Sequence, residues 1–270
     1  MKKHLSTVFL FMIFIVGAAI MIYPSFSNWW NSNKATHVIA DYNAVITKTD
    51  TSHIDALWAE ADAFNKSLSG IPGLTEDMEE LYNKALNATG TGIMGYIEIP
   101  SLRITLPIYH GTSEPVLQVG IGHIDWSSLP TGQPGTHVVV SGHRGLPSAR
   151  LFTDIDQLVP GDIFSLEVLN KEFTYEVDEI LIVLPQELDS LKAVPGEEYC
   201  TLVTCTPYGV NSHRLLVRGH RIDTGNILNV RVTADALQIR PVMVAPFVAA
   251  PILLILLILL FVDKRKRDED

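Results

Sequence analysis

Residues 201–221 read TLVTCTPYGVNSHRLLVRGHR. Two apolar runs flank the stretch Pro207-Tyr208-Gly209-Val210-Asn211-Ser212, whose proline, glycine and asparagine are turn formers. The pattern predicts a strand over Tyr199–Thr204, a loop, and a returning strand over Arg214–Arg221. Neighbouring strands lie about 4.8 Å apart, so the return brings Arg214 beside Cys205. Cys205 stands where its strand gives way to Thr206-Pro207, a place from which a side chain can face a groove.

Cysteines are scarce in this chain. There are two, Cys200 and Cys205. On one extended strand they stand about 16 Å apart, whereas a disulfide needs Cα atoms within about 7 Å. Their odd offset also turns them to opposite faces. They are therefore expected to be unpaired, with Cys200 serving as a small buried apolar residue and Cys205 free for chemistry. The histidine that could serve it is His143, in Ser141-Gly142-His143-Arg144-Gly145, at the end of the run Thr136–Ser141. A thiol is a weak nucleophile at neutral pH until a nearby imidazole or guanidinium favours its thiolate. Attack on a carbonyl builds charge on oxygen, which the arginine donors stabilise, and the departing amine takes a proton from histidine. A cysteine, a histidine and an arginine also occur together by chance. His123, His137, His213 and His220 are read as surface or satisfied core residues. No C-x-x-C or H-x-x-x-H spacing occurs, so no metal site is expected.

Other short strands are expected at Gly95–Ile99, Ile104–Tyr109, Thr136–Ser141, Ile163–Val168 and Glu172–Val183, with a short helix carrying Leu151, Phe152, Ile155 and Leu158. Many short strands with few helices suggest a mostly β sandwich or closed barrel. Ahead of them lies an α-helical region. One helix carries Val38, Ile39, Tyr42, Val45 and Ile46; a second, capped by Ser52, carries Ile54, Leu57, Trp58, Ala61, Phe64 and Leu68; a third, capped by Thr75, carries Met78, Leu81, Tyr82, Ala85 and Leu86.

Two uncharged runs bracket all this, Leu5–Tyr23 and Val242–Val262. Each matches the roughly 20 residues that cross a bilayer. The first is read as an uncleaved anchor, because no A-x-A site follows it; a cleaved signal is the alternative. Lys2 and Lys3 precede the first run and Lys264–Arg267 follow the second, so both termini are expected in the cytoplasm and the segment between outside. The expected divisions are a cytoplasmic N-terminus at 1–4, a span at 5–23, an extracellular helical and lid region at 24–92, a β-barrel catalytic domain at 93–222, a linker at 223–241, a span at 242–262 and a cytoplasmic tail at 263–270. A formal net charge of −10 and the lack of a basic stripe argue against a nucleic-acid partner.

The stretch 201–221 closely resembles the catalytic strand–loop–strand of class C sortases, the pilus-assembling group. The stretch from Gly95 to Asp156, with GHRGLPSA around His143, is similar to the same group. The resemblance covers most of 93–222 and gives Cys205, His143 and Arg214 the family's three catalytic places; Thr204 is a candidate substrate-binding residue. It implies a closed barrel of about eight strands, flanked here by two transmembrane helices. It also implies a reaction, in which Cys205 attacks the threonine carbonyl of an LPXTG-like sorting signal. The thioester then passes to a lysine amine of a pilin subunit, giving an isopeptide bond without metal or organic cofactor. Class C members commonly carry a lid with an Asp-Pro-aromatic plug. Residues 67–74 here read SLSGIPGL, so the lid is expected to be absent or held by other contacts such as Ile71 and Pro72, leaving a loosely covered groove. Three other readings stand beside this one. They are a sortase that anchors proteins to cell-wall peptide, a non-catalytic membrane-tethered scaffold, and a secreted cysteine protease using water as acceptor.

Overall fold

The computed structural model describes residues 2–68 and 72–223. The span expected at 242–262, the tail at 263–270, nearly all of the 223–241 linker and the lid candidate Ile71 lie outside the described residues. Pro72 lies inside them and is exposed. Among the described residues, those from Trp30 onward form one compact body and those up to Trp29 a separate unit.

Helix α1 runs unbroken from Lys2 to Lys48. The sequence suggested a span ending at Tyr23 and then a separate helix carrying Val38 to Ile46. The chain instead stays helical through Pro24, since a single proline removes one intrahelical bond and its neighbours here contain no second breaker. Among the described residues, the segment Phe9–Lys48 is the one helix long and apolar enough to cross a membrane, and its apolar window is unburied.

Helix α2 (Thr51–Ser67) follows, and buries Ile54, Leu57, Trp58, Ala61 and Phe64, the stripe expected of it. Its cap is Asp50 rather than Ser52, whose hydroxyl donates to the Asp50 carboxylate. Helix α3 (Glu76–Lys84) is capped by Thr75, which accepts from the Met78 amide.

Eight strands close into a barrel: β1 (Ile93–Ile99), β2 (Ile104–His110), β3 (Ile121–His123), β4 (Thr136–Ser141), β5 (Ile163–Val168), β6 (Lys171–Val183), β7 (Glu198–Thr206) and β8 (His213–Arg221). Their order around the barrel is β1-β2-β3-β4-β7-β8-β6-β5. The pairs β2–β3 and β4–β7 are parallel and the others antiparallel. Strand β3 escaped the sequence pattern because three residues are too few to show an alternation. The helix expected around Leu151–Leu158 shrinks to a 3-10 turn at Ile155–Gln157, since Leu151 takes a positive φ of 38°. Its four apolar residues are nevertheless buried.

The barrel core is continuous with the helical region: Trp58, Phe64 and Tyr82 share one apolar cluster with Ile97, Phe164, Tyr175 and Leu202. Polar pegs fix the docking. The Tyr42 hydroxyl donates to Met94 O at 2.9 Å and accepts from the Leu169 amide at 2.7 Å. Asn65 brackets Leu129, accepting from its amide and donating to its carbonyl. The Tyr82 hydroxyl accepts from the Gly111 amide at 2.8 Å and lies 3.0 Å from His123 Nδ1. His123 Nε2 lies 2.9 Å from Ser128 O; a carbonyl only accepts, so Nε2 carries the proton and Nδ1 receives one from Tyr82.

Candidate active site

Cys205 and Arg214 are direct partners in the antiparallel β7–β8 ladder. Side chains of such a pair leave the sheet on the same side. Strand β4 runs parallel to β7 on the other flank, with Ser141 opposite Val203 and the Gly142 amide donating to Val203 O at 3.0 Å. Two side-chain bonds carry this register past the strand end. Thr204 Oγ1 donates to Gly142 O at 2.7 Å, and Arg144 Nη1 donates to Thr206 Oγ1 at 3.2 Å; both join residues 62 apart in sequence. His143 lies between Gly142 and Arg144, just as Cys205 lies between Thr204 and Thr206, so the same offset sets His143 level with Cys205. The histidine just past the end of β4, the cysteine on β7 and the arginine on β8 therefore lie level in one row, with the cysteine in the middle.

The inner side of this row is a set of latches. Thr204 is buried at 1% exposure with its hydroxyl committed to Gly142, and it faces away from Cys205. Gly142 has no room for a side chain, because a Cβ there would come within 2.8 Å of Phe152 and 2.9 Å of Ile121. Arg144 also ion-pairs with Asp156, and its Nε is buried without a hydrogen-bond partner. The histidine loop is further held by the Phe152 amide on His143 O and by the Gly145 amide on Thr153 Oγ1. Gly145 has φ +82°, and a Cβ there would come within 2.9 Å of the Tyr208 ring.

The outer side is apolar behind the row. Val203 and Leu216, themselves cross-strand partners, are buried with Val139 and Leu191, and Ile124, Trp126 and Val183 pack against them. The row itself stays reachable: Cys205 is partly exposed and free, and the His143 side chain is 28% exposed. Among the described residues His143 Nε2 has no hydrogen-bond partner; Glu114 Oε2 stands 3.6 Å away.

The two other reactive-looking groups nearby are spent. Cys200 is fully buried, and burial, helped by Glu198, pushes its thiol well above the ordinary range, so it remains a thiol. Arg218 forks onto Asp178 at 3.0 and 2.9 Å, pairs with Glu179 and lies over the Tyr199 ring. Arg214 differs. Its Nη1 donates to the carbonyls of Asn211 and His213 in its own loop, and no carboxylate neutralises it among the described residues. His123 and His137 are buried and hydrogen-bonded, the satisfied core histidines the sequence suggested. Sequence reading missed Arg144 and Glu114. Arg144 adjoins His143 in the chain and could have been noticed, whereas nothing near Glu114 in sequence points to the site.

A family model described as the sortase domain matches residues 97–222. Sortase C1 from Streptococcus agalactiae is 48% identical with a TM-score of 0.67, over 69% of this chain and 98% of that one. Sortase C from Streptococcus pneumoniae, reported for its catalysis and pilin substrate specificity, is 39% identical with a TM-score of 0.63, over 69% and 97%. Sortase C from Clostridium perfringens with a C-terminal cell wall sorting motif is 42% identical with a TM-score of 0.62, over 70% and 100%.

Proposed function

Because this chain belongs to the sortase family, we propose that it is a class C sortase, a cysteine transpeptidase that joins pilin subunits. The observation that carries the reading is the row itself: an unpaired, partly exposed thiol between a histidine and an arginine that no carboxylate neutralises among the described residues, registered by the ladders on both sides. Cys205 attacks the threonine carbonyl of an LPXTG-like signal. Arg214, with one nitrogen engaged in its own loop, has further N–H groups to offer the carbonyl oxygen as it gains charge. His143 passes a proton to the departing glycine amine and later takes one from the incoming lysine amine. The thioester thus becomes an isopeptide bond with atoms and protons balanced. No step calls for a metal or cofactor. The apolar floor of Val203 and Leu216 suits the leucine and proline of such a signal. The pilin specificity reported for the pneumococcal relative supports a pilin as donor.

The apolar N-terminal helix supports a membrane anchor. With the second uncharged run at 242–262, the proposed topology has two spans, both termini in the cytoplasm and the barrel outside. The exposed position of Pro72 and the missing Asp-Pro-aromatic plug support a loosely held lid.

The test is intact-protein mass spectrometry of the full chain in detergent, incubated with an LPXTG peptide. The expected result is a mass increase equal to the acyl fragment, discharged by a lysine-bearing pilin peptide. No adduct on a folded protein would overturn the transpeptidase reading, and discharge only by cell-wall peptide would replace the pilin acceptor.

A further inference from the structure

Helix α4 (Glu114–Leu117) lies between β2 and β3 and opens on Glu114. Strand β3 pairs with β4, and β4 leads into His143. Glu114 Oε2 stands 3.6 Å from His143 Nε2, a nitrogen that is otherwise buried and without a hydrogen bond. The row thus continues one place beyond the histidine: carboxylate, imidazole, thiol, guanidinium.

We infer that Glu114 is a positioning residue for His143, turning Nε2 towards itself, leaving Nδ1 for the Cys205 side, and favouring the imidazolium form. The logic is that of any nucleophile–base pair whose base is oriented by a third group. A nitrogen buried without a partner is costly unless its proton finds an acceptor, and Glu114 is the carboxylate within reach. The separation is too long for a full hydrogen bond and short enough for charge attraction; a slight closing of α4 would complete it. Glu114 itself is kept ionised: the Gln118 amide first, and His143 after it, hold its carboxyl below the usual range.

The other charged or titratable groups around His143 do not substitute for it. Arg144 has its charge taken by Asp156. Tyr208 lies over Gly145 from the β7–β8 loop. Cys205 is the reaction partner, and Arg214, one strand further on, is cationic and would disfavour an imidazolium. Glu114 is thus the group that offsets a second positive charge beside Arg214. Its side chain is 68% exposed, so the effect is modest and weakened by salt.

The inference rests on the proposed pairing of His143 with Cys205 but not on the identity of the substrate. The experiment is therefore the pH profile of Cys205 alkylation by iodoacetamide in the full chain and in Glu114→Gln, run beside acylation by an LPXTG peptide. Cys200 is fully buried, so alkylation of the folded protein reports Cys205. Without the carboxylate, fewer molecules hold the thiolate–imidazolium pair. The neutral-pH rate should fall about threefold, the size a screened carboxylate supports. The acid limb should move to lower pH, and the two proteins should converge at alkaline pH where the thiol ionises without help. High salt should bring the native profile towards that of Glu114→Gln. Superimposable profiles, or a loss that is uniform at every pH, would overturn the inference. A shifted alkylation profile with no acyl adduct in either protein would keep the inference and remove the transpeptidase reading instead.

Discussion

Cys205 and Arg214 face each other across the β7–β8 ladder, so the thiol and the guanidinium are held together by two backbones rather than by a contact between side chains. A substitution at either position should alter chemistry with little cost to the fold.

Cys205→Ala should eliminate the acyl adduct, while Cys200→Ala should keep it. Residual adduct in the first variant would mean the nucleophile lies elsewhere. Because Cys200 is fully buried, its truncation leaves a small void and should cost about 1 kcal/mol, readable as a lower urea midpoint with unchanged turnover per folded molecule.

Arg214→Lys should lower the rate of thioester formation by about a hundredfold, the usual size for losing an oriented donor to a developing oxyanion. The unfolding midpoint should stay within error of the native one. A near-native rate would show that charge without the planar fork is sufficient.

Thr204→Val should act through position. The methyl fills the space of the hydroxyl but leaves Gly142 O without its 2.7 Å donor. A stability loss of about 1–2 kcal/mol is expected, with a fall in acylation rate as the register between His143 and Cys205 loosens. Thr204→Ser, which keeps the donor, should restore most of the rate. Equal rates in both variants would show that the latch does not serve the site.

Acid should weaken the fold through its buried histidines. Burial holds the His123 imidazole down to about 3, against the pull of the Ser128 carbonyl, and lowers His110 and His137 in the same way. Each is neutral when folded, while the unfolded chain protonates near 6.5. Their contribution is therefore complete above that value and is lost as pH falls below it; for His123, held down to about 3, the loss runs at about 1 kcal/mol per pH unit. The melting temperature should drop between pH 7 and pH 5, and His123→Gln should show a shallower slope. Equal slopes would mean that another group controls the acid limit.

Cys205, His143 and Arg214 stood out in the sequence as candidates because each sits in a short run at a strand end that resembles the sortase pattern, and the turn residues after Cys205 announce a return strand. Seven of the eight strands were legible for a related reason, since apolar alternation and turn formers mark most of them. Strand β3 was not, being three residues long and defined by its parallel pairing with β2. The continuity of α1 was not legible either: the helical region was read as starting anew after the first apolar run, whereas the helix continues through Pro24. Thr204 drew attention as the neighbour of Cys205, but alternation along the strand turns it inward to Gly142.

Taken as a linear chain, the protein already specifies the strand–loop–strand around Cys205, the apolar stripes of the helical region and the length of its uncharged runs. These are local patterns, read from periodicity and turn chemistry. The tertiary structure alone decided that β4 lies beside β7 in parallel, which brings His143 level with a cysteine 62 residues away by the offset its flanking bonds share. It alone also set Glu114 against His143. Parallel pairing and loop packing depend on how the whole barrel closes around its core, and no short stretch of chain encodes that.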